Sequence, residues 1–440
     1  MSRKSWDDCV GSLRRTLRDL PDERTGENTQ YSMEDIGLSA FSVFFTQSPS
    51  FLSAQKTLEK NKGSSNAKSL FEIQKIPCDN HIRECLDTVA PEHLFPLYDE
   101  VYQTFCQEGL LESMRAFHQT QLIALDGTWY FSSKKIHCDQ CSCLEHKSGD
   151  KTYYHSAITP VIVAPGQPQV VSLRPEFIVP QDGHTKQDCE IAAAKRWLQK
   201  NSDRYSPLKA TLLGDDLYCH QPFCRQTLLH GFHFLFACKP DSHTALYNWV
   251  NLLKAPDIRT FKARIKKGAH FQTHTYRYAN QVPLVEGADA LKVNWCELSV
   301  TDHKGEVVYL NAWATDWPIS DDNIADLVAA GRARWKIENE NNNTLKNKGY
   351  NLDRNFGHGH KHLSSLLATM NILAFLYHTL LAFNDQSYQL IRAHLPTRKT
   401  FFDDLRALTR YQVFASWNDL MDFMMRGLEI GPYATPPDGH

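Results

Sequence analysis

The chain has 440 residues, 48 Lys and Arg against 50 Asp and Glu for a formal net charge of −2, and hydrophobic and aromatic fractions of 42% and 11%. That length exceeds one ordinary core and calls for two or three lobes, or one domain with a large insertion. The composition excludes chain-wide disorder, and the charge balance excludes a uniformly basic nucleic-acid coat.

The opening MSRKSWDDCVGSLRRTLRDL has no apolar core segment and no small-residue cleavage site. A secretory signal is therefore not expected, and a cytoplasmic location is. Residues 33–117 alternate helical patterns with breaks at GSSN (63–66) and APEH (90–93), so residues 1–117 are expected to form a helical N-terminal region, a candidate for DNA binding. The chain then changes character. Strands are expected at 121–131, 154–163, 170–173, 210–214 and 232–238, with helices at 186–201 and 223–230. Three strands, a helix, a strand, a helix and a strand predict an α/β mixed sheet flanked by helices, in the order of an RNase H-like core whose first part spans 118–238. A helix should follow the last strand. Instead, residues 239–314 show period-two alternation and a DHKGE turn, the pattern of a mainly β insertion. Core helices (315–385) and a C-terminal helical region (386–440) complete the chain. The apolar run 363–383 is broken by Ser364, Ser365, Asn371 and His378, so it reads as a buried helix rather than a membrane span.

The pattern predicts one helix from a cap at Ser320 or Asp321 to a stop at Gly349. Ile324, Val328, Gly331, Trp335, Glu338, Asn342 and Leu345 recur at alternating spacings of four and three, one continuous face. That face carries Glu338 and Asn342 toward the sheet, where a carboxylate must be paired or bind a cation. The plainer alternative is a surface pair between Glu338 and Arg334, one turn back. Asp126, in LIALDGT, and Asp215, in ATLLGDDLY, each end a strand, where an Asp closes a turn or serves a site. In the expected topology those strands are neighbours and the helix lies across them, so three distant acids converge. Such a triad suits two hard cations about 4 Å apart in phosphoryl chemistry.

On these residues the chain resembles the bacterial insertion-sequence transposases of the DDE superfamily that carry a β insertion before the catalytic Glu. The likeness runs from about residue 41 to 423. It rests on LIALDGTWYFSS, QDGHTKQDCEIAAAKRWL, LLGDDLYCHQPFC, RWKIENENNNTLKNKGYNLDRNFGHG and TRKTFFDDLRALTRYQVF. The resemblance implies that Asp126, Asp215 and Glu338 hold two Mg²⁺ or Mn²⁺ ions. It also implies cleavage at transposon ends, joining of the 3′-OH to target DNA, and a homodimer pairing two ends. Asp215 is preferred to Asp216 because it precedes the aromatic Tyr218 by three. In the family motif a Tyr stands where this chain has Gly331, and Lys346 falls one place late. Arg334, Asn342 and Lys346 would border the DNA. A nuclease that cuts without joining, and a domesticated DNA-binding protein without catalysis, are the competing expectations.

Two further signals stand apart. Cys138, Cys141, Cys143 and His146 have spacings that can close a tetrahedron around Zn²⁺, against the alternative of reduced cysteines in a loop. His358, His360 and His362 alternate like metal ligands on an extended strand, but the two glycines through which they follow the helix and the neighbouring Lys361 favour a phosphate-facing loop. The run 254–277 includes Lys262, Arg264, Lys266 and Lys267, with Phe261, Phe271, Tyr276 and Tyr278 close by. It is either a DNA-contacting face or a solvated one. Cys189 has no accompanying base and is expected to pack.

Overall fold

The computed structural model describes residues 4–25, 29–59, 65–180 and 186–434; residues 63–64 and 181–185 of the stretches above, and the Cys189 side chain, lie outside the described residues. The strands are β1 (Leu122–Ala124), β2 (Gly127–Ser133), β3 (Ser142–Glu145), β4 (Lys151–Ile158), β5 (Val161–Val163), β6 (Val171–Ser172), β7 (Glu176–Ile178), β8 (Thr211–Gly214), β9 (His233–Ala237), β10 (Arg259–Lys267), β11 (His270–Pro283), β12 (Lys292–Thr301) and β13 (Val307–Thr315).

Nine strands form one mixed sheet in the order β10-β11-β12-β13-β9-β8-β1-β5-β6. Within it, β6, β5 and β1 are antiparallel, and β8 and β9 then continue parallel to β1. Among these five strands the spatial order is third, second, first, fourth, fifth, which is the RNase H-like arrangement. The parallel steps need crossovers. The helices Lys186–Tyr205 and Gln221–Leu229 supply them.

Two expected strands prove to be four. The stretch 121–131 divides at Leu125–Asp126 into β1 and β2, and 154–163 divides at Thr159–Pro160 into β4 and β5. At the first break the chain leaves the large sheet for a second, four-stranded one in which β4 pairs with β2, β3 and β7, and at the second it returns. Both passages occur side by side, since the Thr159 N–H donates to the Asp126 carbonyl at 3.1 Å. Period-two alternation runs through such a passage, so periodicity alone could not reveal it.

The β insertion continues the core sheet. A short helix, Thr244–Leu252, follows β9 and packs on β11, and the four insertion strands return so that β13 pairs antiparallel with β9. Helices of the N-terminal region begin with serine caps at Ser5, Ser32, Ser50 and Ser65. Trp6 stacks on Phe45 at 3.9 Å and meets the edge of Tyr377, which ties these helices to Leu363–Asn384. That helix is long and apolar enough to cross a membrane, yet here protein encloses it. Each fully buried Leu along it contributes about 1.5–3 kcal/mol. Its polar breaks are partly satisfied: Asn371 donates to the Tyr350 carbonyl and His378 shares a hydrogen bond with the Tyr350 hydroxyl, while Asn371 Oδ1 and His378 Nε2 are buried without a partner.

Candidate active site

Asp126 lies where β1 ends and β2 begins. The register pairs Ala124 with Leu213, so Asp126 and Asp215 both stand two residues beyond, level with each other on parallel strands about 4.8 Å apart. Asp215 caps the turn that follows β8 by accepting from the Leu217 N–H. Asp216 turns the other way. Burial pushes it up, but hydrogen bonds from His243, Ser242 and the Lys239 N–H outweigh burial and hold it down at about 2.

The single helix expected over 320–349 is broken. It runs Ile324–Arg332, then a π-helical turn Ile337–Asn342, then Asn343–Asn347. Ser320 and Asp321 do not cap it, because Asp321 instead accepts from Arg259 and Tyr278. The break rotates the expected stripe. Ile324, Val328 and Gly331 are buried, whereas Trp335 is 46% exposed and the Glu338 side chain 50% exposed. Asn341 and Asn342 take the inward positions. Ser172 Oγ donates to Asn341, which donates to Asn342, and Thr159 Oγ1 also donates to Asn342 at 2.8 Å. Asn342 Nδ2 then donates to Asp126 Oδ2 at 3.0 Å. The buried amides therefore aim and hold a carboxylate, and Asn342, expected to border DNA, lies inside the fold against Asp126.

Glu338 does not point into the sheet as its spacing predicts; it accepts from Arg334 Nη2 at 2.6 Å, the plainer of the two readings. Its charge is nevertheless felt at Asp126. Burial first, and then the charges of Glu190, Glu338 and Asp215, push the Asp126 carboxyl up to about 7, with Arg334 opposing. Among the described residues, Asp126, Asp215 and Glu338 are not all within 4.8 Å of one another.

Glu190 is the residue that sequence reasoning missed. It is buried on the helix Lys186–Tyr205, and its Oε1 accepts from the Tyr218 hydroxyl at 2.8 Å. Its signal was present: Glu190 precedes the buried Ala193, Ala194 and Trp197 at spacings of three, four and seven, so it shares their face. Gly127 makes room for it, since a Cβ there would stand 2.5 Å from Glu190 Oε2.

The oxygen-rich donor set fits a hard divalent cation. The three carboxylates that act on Asp126 raise the free energy of its charged form, and a cation would relieve it.

No family model matches the chain, and no curated protein does. Among solved structures the chain is similar to a piggyBac transposase in a synaptic complex with hairpin DNA, at 9% identity over 97% of this chain and 82% of that one, with a TM-score of 0.41.

The remaining expected contacts are scattered. Lys346 is half-buried on Asn343–Asn347. Lys262, Arg264 and Lys266 project from one face of the edge strand β10, with Arg264 over the Phe271 ring at 4.4 Å, and Lys267 closes that strand. Tyr276 and Tyr278 are buried, so two of the four aromatics expected beside the basic run belong to the core. Lysines on an edge strand also discourage pairing with another sheet.

The cysteine cluster is rearranged. Cys138 and Cys141 meet His155 of β4 and His358, with all ligand atoms within 4.8 Å of one another. Cys143 is exposed on β3, and His146 is hydrogen-bonded to Thr152, so neither joins them. The register sets Cys143 opposite Tyr153, further along β4 than His155, and His146 lies past the end of β3. His358 is taken from the expected phosphate-facing loop, which Asp87 anchors by accepting from the His360, Lys361 and Leu363 N–H groups. A second set, Cys219, Cys238 and His243, is buried, and its His243 is already paired with Asp216.

Proposed function

We propose that the chain is a DNA transposase that cleaves phosphodiesters at element ends and transfers the 3′-OH into target DNA. The observation that carries this reading is the level placement of Asp126 and Asp215 at the ends of the neighbouring parallel strands β1 and β8, on a sheet of RNase H-like order, with the π-helical turn tied to Asp126 through Asn342.

In this reading Asp126, Asp215 and Glu338 hold Mg²⁺ or Mn²⁺, two per site, which supplies Lewis acidity at the attacking and leaving oxygens. The chain's own residues prepare that site. Asn342 and the Thr159 crossing fix Asp126, while Tyr218 fixes Glu190 beside it. Arg334 exchanges Glu338 for a phosphate of the DNA, a change that suits its planar, permanently charged fork. A π turn takes up one residue more than an α turn. Lys346, one place late in the family pattern, thereby reaches the angle that seven places give in an unbroken helix. The exposed Trp335 offers a flat surface to an unpaired base. Lys262, Arg264, Lys266 and Lys267 hold backbone further out, and a homodimer would pair the two ends.

The Arg334–Glu338 pair favours a second reading, DNA binding without cleavage. The deciding experiment uses a labelled duplex bearing the DNA that flanks the native gene, with Mg²⁺ or Mn²⁺, and compares the wild type with Glu338→Gln. Cleavage and joining in the wild type, lost in the variant while binding persists, is the expected result. Equal activity in both would remove Glu338 from the site. Binding without cleavage in both would establish the second reading, and cleavage without joining would leave a nuclease.

A further inference from the structure

Cys138, Cys141, His155 and His358 form a compact cluster. Its dimensions say more. A tetrahedral Zn²⁺ with Zn–S near 2.3 Å and Zn–N near 2.05 Å sets ligand–ligand edges of roughly 3.8 Å for S···S, 3.6 Å for S···N and 3.3 Å for N···N. In the cluster Cys138 Sγ and Cys141 Sγ are 3.9 Å apart, and the Nε2 atoms of His155 and His358 are 3.2 Å apart. The sulfur-to-nitrogen edges are 3.6 Å from Cys138 to His155, 3.4 Å from Cys141 to His155 and 3.4 Å from Cys141 to His358. Four side chains drawn together by packing alone have no reason to reproduce three different edge lengths.

The surroundings suit the same purpose. His358 Nδ1 is 2.8 Å from the Gly359 carbonyl, so a proton there leaves the Nε2 lone pair facing the sulfurs. The Cys138-Asp-Gln-Cys141 segment closes a tight turn, with the Cys141 N–H donating to the Cys138 carbonyl and the Cys138 N–H directed at Cys141 Sγ.

We propose that Cys138, Cys141, His155 and His358 bind one structural Zn²⁺ that clasps the small sheet to the loop following the π-helical turn. Two thiolates and two imidazoles close the coordination sphere and leave no position for substrate. On binding, each thiol yields its proton to solvent, and no oxidation change is involved. The clasp spans 217 positions between Cys141 and His358. It fastens β2 and β4, which continue from the Asp126 crossing, to the segment leading into Leu363–Asn384. The proposal does not depend on the transposase reading, because its readout is metal content.

The test takes the full chain, purified without chelator, and measures zinc by elemental analysis and the optical spectrum after cobalt exchange. About one zinc per chain is expected at this site, with sulfur-to-cobalt charge transfer from two thiolates and the visible bands of a tetrahedral ion. Cys141→Ser with His358→Ala should lose that equivalent, whereas Cys143→Ser with His146→Ala should keep it. Because the first variant could fail to fold, His358→Cys provides the sharper reading. It should retain the metal and raise the charge-transfer intensity by about half, as three thiolates replace two. A zinc-free wild type, a Cys138–Cys141 disulfide in its place, or a cobalt spectrum unchanged in His358→Cys would overturn the proposal.

Discussion

Asn342 reaches 216 positions back along the chain to donate to Asp126, and it is the amide, not the neighbouring glutamate, that the broken helix delivers to the sheet. Replacing it with Ala removes a donor from a carboxylate inside the fold. Stability should fall by about 1–3 kcal/mol, read by denaturant unfolding at neutral pH. The Asp126 carboxyl should rise still higher, because the lost donor favoured its charged form. An unchanged unfolding midpoint would remove Asn342 from this role.

Asp126 also sets a pH dependence. Its carboxyl is raised from 3.8 to about 7 in the fold. Between those values the folded state keeps a proton that the unfolded chain releases. The associated stability is therefore fully present below about pH 4 and lost as pH rises through 7. In chelator the melting temperature should decline over that window, and Asp126→Asn should flatten the decline. Added Mg²⁺ should raise the melting temperature more at pH 7.5 than at pH 5, since cation and proton compete for the same oxygens. Equal gains at both values would count against cation binding there.

Gly331 lies against Trp313, with a Cβ at that position only 2.7 Å from the indole Nε1. A larger side chain does not fit there unless Trp313 moves. Gly331→Ala should cost about 1–3 kcal/mol by forcing the helix away from β13. Thermal unfolding would show it, and a neutral result would mean the indole gives way.

Gly127→Ala addresses Glu190 without altering any charge. The added methyl would meet the Glu190 carboxylate and turn it from the Tyr218 hydroxyl. Nicking should drop at least tenfold with DNA affinity unchanged, as expected for geometry disturbed at a site where small displacements matter. Full activity would show that Glu190 only fills space.

The basic edge strand is checked by salt. Lys262→Ala, Arg264→Ala and Lys266→Ala together should lower the slope of log affinity against log salt by about 2–3 on duplex DNA. No change in slope would leave the strand as a guarded sheet edge.

Much of this was legible in the sequence, for physical reasons that also mark the limit. Strand order followed from the alternation of strand and helix signals, and Asp126 and Asp215, each an ordinary turn-closing residue alone, gained weight because that order makes their strands neighbours. The helical stripe failed at Trp335 and Glu338 because periodicity assumes one pitch, and a π turn changes the pitch without changing composition. Glu190 escaped attention although the stripe argument applied to Glu338 would have found it. His155 and His358 could not be joined to the cysteines from spacing, because strand pairing and a distant loop, not neighbouring positions, bring them together.

The crossing at Asp126 has a consequence for when the protein becomes competent. At about 5–20 residues per second, Asp126 emerges from the ribosome roughly 10–40 s before Asn342 does. Until then the carboxylate lacks the amide that aims it, and the closing contact joins residues 216 positions apart, a class that forms slowly. On the transposase reading, a nascent or prematurely terminated chain could hold DNA but not cut it. Synthesis itself would then act as the safety catch on a DNA-breaking enzyme, and a chain ending at residue 323 should bind duplex without nicking it.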